Sequence, residues 1–233
     1  MIKYILYLLS ICFPTLLIGQ STVFGPKGGL TLGVQSWDGF QRQPLLSYHG
    51  AFYIEGYKED APASLFAQVG LHHRGSSERV FFLNGSSAQA VRQTFSFSNA
   101  AAIFGAKKRF DTSGSSKPYF SFGVRLEYTV GTNLDESAEF AGYFPIEGFV
   151  NKWNYGATAS FGYEFPFSEF VGGLIEASIS PDFSQQYQQP GGIGVISPIT
   201  GSAITLREQQ IRNITFELTV GLRFLHKVIY LDE

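Results

Sequence analysis

Cysteine is almost missing from this chain: the single one, Cys12, lies inside an apolar N-terminal stretch, so the rest has neither a disulfide framework nor thiol chemistry. Charge is scarce as well. Charged residues make up 15% of the 233 positions, well below the roughly 25% of an ordinary soluble domain. Neither sign dominates, with Lys+Arg 17 against Asp+Glu 19. No surplus of cations exists to neutralise phosphates, which excludes nucleic acid as a partner, and no charged low-complexity tail is present. Long apolar runs are missing beyond the N-terminus, and a bundle of membrane helices needs several of about 18 residues or more. What the chain does have is Gly 26, aromatic residues at 16% and hydrophobic residues at 44%. That composition points to a β-rich fold.

The N-terminus reads as an address. Lys3 supplies a positive start, Ile5 to Ile18 an apolar stretch broken by Ser10, Pro14 and Thr15, and Gly19-Gln20 a cleavage point, the pattern of a secretion signal. Lipidation at Cys12 would need a small residue before it, and Ile11 does not fit. Residues 1–19 are therefore expected to be a signal peptide. Removing Lys3 leaves 16 − 19 = −3 as the formal charge of the remainder.

From Lys27 onward the sequence alternates with period 2, the mark of strands with two unlike faces. Trp153, Tyr155, Ala157, Ala159, Phe161, Tyr163 and Phe165 share one parity, opposite Asn154, Gly156, Thr158, Ser160, Gly162 and Glu164. The same contrast sets Phe120, Phe122, Val124, Leu126, Tyr128 and Val130 against Ser121, Gly123, Arg125, Glu127 and Thr129. It also sets Ile214, Phe216, Leu218, Val220, Leu222 and Phe224 against Thr215, Glu217, Thr219, Gly221 and Arg223. Weaker alternation occupies 28–35, 48–57, 65–73, 95–110 and 170–179. Short connections at 58–63, 111–117 and 166–169 alternate with long ones at 36–47, 74–94, 131–152 and 181–210. Even strand number and this asymmetry are features of up-and-down outer-membrane barrels, whose periplasmic turns are short and whose outside loops are long.

The sizes of the two faces separate a membrane barrel from a soluble one. A polar face in bulk water would carry many long charged side chains; here it is mostly Gly, Ser, Thr and Asn, which suits a cramped interior. Eight strands enclose too little volume for the many rings of the other face, so those rings point into lipid. Trp153, Tyr155, Tyr163, Phe165, Tyr128 and Phe224 stand where interfacial girdles would sit. The span Ile214 to Phe224 has the length of about 9 to 11 residues that crosses the hydrocarbon layer. The expected organisation is a lead at 20–26, an eight-stranded antiparallel transmembrane β-barrel at 27–224 and a periplasmic tail at 225–233.

The opening Phe24-Gly25-Pro26-Lys27-Gly28-Gly29-Leu30-Thr31-Leu32-Gly33 resembles the lysine-glycine-glycine first strand of the PorT-like small outer-membrane barrels of Bacteroidota. The segments 156–165 and 220–224 are similar to that family's later strands. The resemblance implies an outer-membrane barrel and, for some members, a link to type IX secretion. Such barrels commonly finish on an aromatic residue, whereas this chain continues from Leu225 to Glu233.

Candidate chemistry is concentrated in two places. Arg125, Glu127, Glu164, Glu176, Glu217 and Arg223 share the inward parity. A carboxylate in a narrow lumen needs a cation or water, so the group reads as a structural salt-bridge plug, with an ion or proton path as the alternative. Glu164 is expected to pair with Arg125 on the neighbouring strand. Asn133 to Asn151 mixes acids with Phe140, Tyr143, Phe144 and Phe149, a composition that suits either recognition of a protein or glycan partner or packing of loops on each other. His72 and His73 face opposite ways on a strand and cannot share a metal. Gly191-Gly192-Ile193-Gly194 precedes no helix and is no phosphate loop. No nucleophile elbow is present. The expectation is a barrel without cofactor or metal, in contact with outer-membrane lipid, with a structural or surface-interaction role. A lipid-modifying enzyme of the same architecture and an accessory of a secretion complex are the alternatives.

Overall fold

The computed structural model describes residues 21–37, 42–58, 61–84, 87–134, 147–196 and 201–228. The expected signal peptide at 1–19 and the loop residues Phe140, Tyr143 and Phe144 lie outside the described residues.

Eight long strands close on themselves. In chain order β1 (Ser21–Trp37), β2 (Gln43–Tyr57), β3 (Ala63–Asn84), β4 (Ser87–Arg109), β5 (Lys117–Thr132), β6 (Trp153–Pro166) and β7 (Val171–Pro181) pair antiparallel with their neighbours. Between β7 and the last strand lie three short ones, β8 (Tyr187–Gln189), β9 (Gly192–Ile196) and β10 (Ala203–Leu206). The last strand, β11 (Gln209–His226), pairs with β7 on one side and β1 on the other. The β1–β11 ladder runs from Thr22↔His226 to Trp37↔Ile211, so every strand of the wall has two partners, which hydrocarbon requires. β8 extends the sheet beside the start of β11, and β9 and β10 form a separate hairpin.

Several boundaries differ from those the alternation predicts, among them the start of β2 at Gln43 rather than 48 and the short strands within 181–210. β1 begins at Ser21 rather than Lys27, because the whole lead pairs with β2 and with the end of β11. β11 continues to His226 rather than Phe224, so the first residues of the expected tail belong to the wall. The largest difference is at 74–94, expected as a loop. β3 and β4 instead continue as a paired ribbon to Asn84↔Ser87. Their outer neighbours stop well short, β2 at Gln43↔Ser77 and β5 at Phe97↔Thr132. Beyond the wall both faces of the ribbon can be polar, so it carries no period-2 signal.

The two faces divide by chemistry along the wall. On β5, Phe122, Val124 and Leu126 are exposed outward while Ser121, Arg125 and Glu127 are buried inward. On β11, Leu218 is 54% exposed beside Thr219 at 1%, so the change of one residue crosses the wall from lipid to lumen. Trp153, Tyr155 and Phe183 are exposed towards the loop end, and Tyr163, Phe167 and Phe170 towards the turn end. These two levels of rings bracket an aliphatic band, as interfacial girdles do.

Leu218→Arg puts a charge in the middle of the band and is expected to cost about 2 to 4 kcal/mol of barrel stability. Reversible unfolding in lipid, with Gln188→Arg at the one exposed position of β8 as the control, measures it. Equal tolerance at the two positions would reverse the face assignment.

Candidate functional site

The lumen holds an ion-pair network in three levels. Nearest the turn end, Glu164 and Glu55 are gathered by Lys107, Arg109 and Arg223. Lys107 Nζ lies 2.7 Å from Glu55 Oε2 and 2.9 Å from Glu164 Oε1. Arg109 Nε donates to Glu164 Oε2 at 2.8 Å, and Arg109 Nη2 stands 2.5 Å from Glu55 Oε1. Arg223 Nε is 3.6 Å from Glu164 Oε2. Alongside, Lys27 Nζ and the Tyr119 hydroxyl both donate to Glu176, at 2.7 and 2.8 Å.

At mid-height two stacked imidazoles share one carboxylate. His72 Nδ1 is 2.6 Å from Glu217 Oε1, and His49 Nδ1 is 3.9 Å from the same oxygen. The rings are 5.5 Å apart and nearly parallel, at 15°. Thr31 and Thr219 hold His49 from either side, at 2.9 and 3.0 Å.

Towards the loop end, Arg74 and Arg125 interlock with Glu127 and Asp182. Arg74 bonds Glu127 and, at 3.0 Å, Asp182 Oδ1. Arg125 reaches the same Asp182 oxygen at 2.5 Å and stands 2.8 Å from Glu127 Oε1. Asn99 donates to Glu127 and Asn213 to Asp182, each at 2.9 Å. Six cations thus face six carboxylates among the described lumen side chains, so the buried charges balance in number, as burial of charge requires. Two close approaches make room for it. A Cβ at Gly156 would lie 2.3 Å from the Pro181 carbonyl oxygen and 3.2 Å from Arg125 Nη2, and one at Gly162 would lie 2.6 Å from the Tyr119 hydroxyl.

Above the network the lumen turns apolar. Trp37, Phe95, Phe97, Leu134, Tyr187 and Ile211 form one cluster, each at most 5% exposed. Among the described residues these side chains form an apolar layer in the lumen that is little touched by solvent. The Arg42 guanidinium lies 3.9 Å over the Trp37 ring and pairs with Glu78.

All six residues singled out from parity, Arg125, Glu127, Glu164, Glu176, Glu217 and Arg223, face the lumen in this structure. The expected pair Glu164–Arg125 is corrected. The β5–β6 register sets Arg125 opposite Gly156, whereas Glu164 sits opposite Lys117, placing the two at different levels with different partners. Phe149, from the expected partner-binding loop, packs on the apolar cluster, its ring 6.3 Å from that of Tyr187. Parity reading missed Lys27, Glu55, Arg74, Lys107, Arg109, Asp182, His49 and His72. Lys107-Lys108-Arg109 hides its alternation because Lys108 points outward, and Arg74 and Asp182 fall in segments read as loops. Among the described residues no group of three or more His, Cys, Asp or Glu side chains could hold a metal ion.

The closed antiparallel sheet, the apolar belt and the polar lumen define the fold of an eight-stranded outer-membrane β-barrel. Among solved structures it is similar to the outer membrane protein OprG from Pseudomonas aeruginosa, at 10% identity and TM-score 0.51, over 88% of this chain and 96% of that one. Neisserial surface protein A (NspA) aligns at 11% identity and TM-score 0.48, over 86% and 96% of the two chains. Ail, the attachment invasion locus protein of Yersinia pestis, solved with the heparin analogue sucrose octasulfate, aligns at 11% and 0.41, over 87% and 99%. At these identities the likeness is one of fold. No protein-family model matches the chain, and no curated protein does.

Double-mutant cycles on refolded barrels test the network. Arg125→Ala with Asp182→Asn is expected to show a coupling of about 0.5 to 3 kcal/mol. Arg125→Ala with Glu164→Gln is expected to be additive within about 0.5 kcal/mol. Arg109→Ala alone, which strips the bidentate partner from Glu164, should destabilise by about 3 to 5 kcal/mol.

Proposed function

We propose that the chain is a non-enzymatic outer-membrane barrel with a structural or surface-interaction role, acting through its extracellular elements on a protein or glycan partner. The observation that carries this reading is the β3–β4 ribbon, which projects past its last wall neighbours with neither outer edge paired to another strand among the described residues. Strand edges of this kind offer backbone donors and acceptors to a partner. Near its base, Arg79 and Arg92 are directly opposite each other and exposed. Like charges so placed repel, and an anionic group on a partner relieves that repulsion. The capped lumen supports the same reading, because it leaves the ends of the barrel, not a channel, as the working surfaces.

Replacing residues 78–93 by an Asn-Gly turn should leave the wall, its heat-modifiable gel migration and its outer-membrane recovery intact, while cell-surface binding to host or neighbouring cells is lost. Unchanged binding would remove the ribbon from the function. The intact barrel is expected to give no single-channel conductance in planar bilayers.

A second reading, a lipid acyl hydrolase, has one observation in its favour. Ser98 Oγ and His73 Nδ1 are 2.9 Å apart on the outward face, just beyond exposed Leu71, at the level where lipid esters begin. A serine with a base in hydrogen-bond reach is the minimum of a nucleophilic pair. Among the described residues no carboxylate touches His73 to orient it, which ranks this reading second. Loss of a lipid A deacylated species on Ser98→Ala, read by mass spectrometry, would bring it forward. Membership of the PorT-like barrels of Bacteroidota rests on the stretch 24–33, and a secretion-complex role on that resemblance alone; copurification in mild detergent tests it.

A further inference from the structure

The turn end of the lumen opens into a cavity of about 480 Å³ whose floor is Arg109, Glu164 and Arg223. The ion pairs at that floor do not balance. Lys107, Arg109 and Arg223 form one connected group with only Glu55 and Glu164, so three cations meet two carboxylates. The cavity rim does not correct this, because Lys58 and Lys117 are offset there by Asp111 and Glu169. Among the described residues, floor and rim together carry five cations and four carboxylates.

Arg223 is the least engaged cation of the floor. Glu55 and Glu164 are engaged by Lys107 and by the fork of Arg109, which makes the short contacts. Arg223 keeps only the 3.6 Å approach of its Nε to Glu164, and that nitrogen, although buried, makes no hydrogen bond among the described groups. Its guanidinium lies 5.2 Å from the centre of the Tyr57 ring, a face that holds it in place without accepting its N–H groups. A planar guanidinium held by one long ion pair, with its Nε donor unused, can receive a carboxylate. The cavity walls add Phe165, Pro166 and Leu225, apolar surface suited to a side chain next to that carboxylate.

We propose that the periplasmic mouth of the barrel binds a small monocarboxylate bearing an apolar group, of the kind presented by a peptide C-terminus, with Arg223 as its anchor. A single guanidinium fork matches a monoanion, and the carboxylates at the rim oppose a dianion such as phosphate. This site is on the opposite side of the membrane from the ribbon, and its test is independent of any surface role.

The test uses the full barrel, refolded in non-ionic detergent and titrated calorimetrically with N-acetyl-leucine, N-acetyl-leucinamide and inorganic phosphate. N-acetyl-leucine should bind with a Kd of about 1 mM or tighter, and the amide and phosphate about tenfold more weakly or worse. Arg223→Gln should weaken N-acetyl-leucine about tenfold, whereas Arg212→Gln at the loop end should leave it unchanged. Glu169 is exposed, so Glu169→Gln keeps the fold even where Arg223→Gln does not, and by raising the local positive charge it should tighten binding about two- to threefold. Equal binding of acid and amide, tighter binding of phosphate, or no response to either Arg223→Gln or Glu169→Gln overturns the proposal.

Discussion

A carboxylate inside an eight-stranded wall stays ionised only if a cation stands within reach, and this requirement governs the rest of the lumen. Twelve charges in so narrow a space must be stabilised by one another, so the two end levels of the network carry both signs within ion-pair distance and the carboxylate at mid-height is held by imidazoles. Pairing at such short range demands exact height, because partners come from different strands. Lys107 and Arg109 on β4 meet Glu55 from β2 and Glu164 from β6 only because the registers bring those positions to one level. A slip of one residue in any strand would turn its charge into lipid. The network therefore specifies register as much as it contributes energy, and the small residues around it follow from the volume that guanidinium groups and rings take up.

The sequence showed strand number, face assignment and membrane character because these depend on period 2, which β5, β6 and β11 display over their whole length. It hid the network for two physical reasons. Inward charges were legible only where the outward neighbours were apolar, and Lys108 breaks that contrast beside Lys107 and Arg109. The inward face also changes character with height: Trp37, Phe95 and Phe97 are buried above the ion pairs, so a ring at inward parity reads as lipid-facing when it is in fact a cap. The ribbon was invisible for a related reason. Once strands leave the bilayer neither face must be apolar, and a paired strand from 74 to 94 looks like a loop. Pairs across the lumen, such as Arg74 with Asp182, depend on closure and cannot be read from spacing at all.

The distribution of charge by level also separates the two ends. The loop-end level is balanced, with Arg74 and Arg125 against Glu127 and Asp182. Glu217 at mid-height has imidazoles, not a Lys or Arg, as its near partners. The turn-end level holds the extra cation. The sum is neutral, yet the positive excess lies at the mouth that opens to solvent and the carboxylate at a level that does not. Charge separated in this way inside a poorly screened interior orients the field along the barrel axis, drawing anions to the turn end.

That field meets an apolar layer towards the other end. The buried cluster from Trp37 to Ile211 lies between the network and the loops, so an anion drawn into the mouth finds donors below and apolar surface above. A barrel with this combination can hold a ligand on one side of the membrane and present a surface on the other, and the only element common to both sides is the wall itself. β4, which frames the mouth at Arg109, and β3, which begins just after Pro62 on its rim, are the same two strands that leave the wall as the ribbon, so the mouth and the ribbon are built on one continuous strand pair whose register the ion pairs hold.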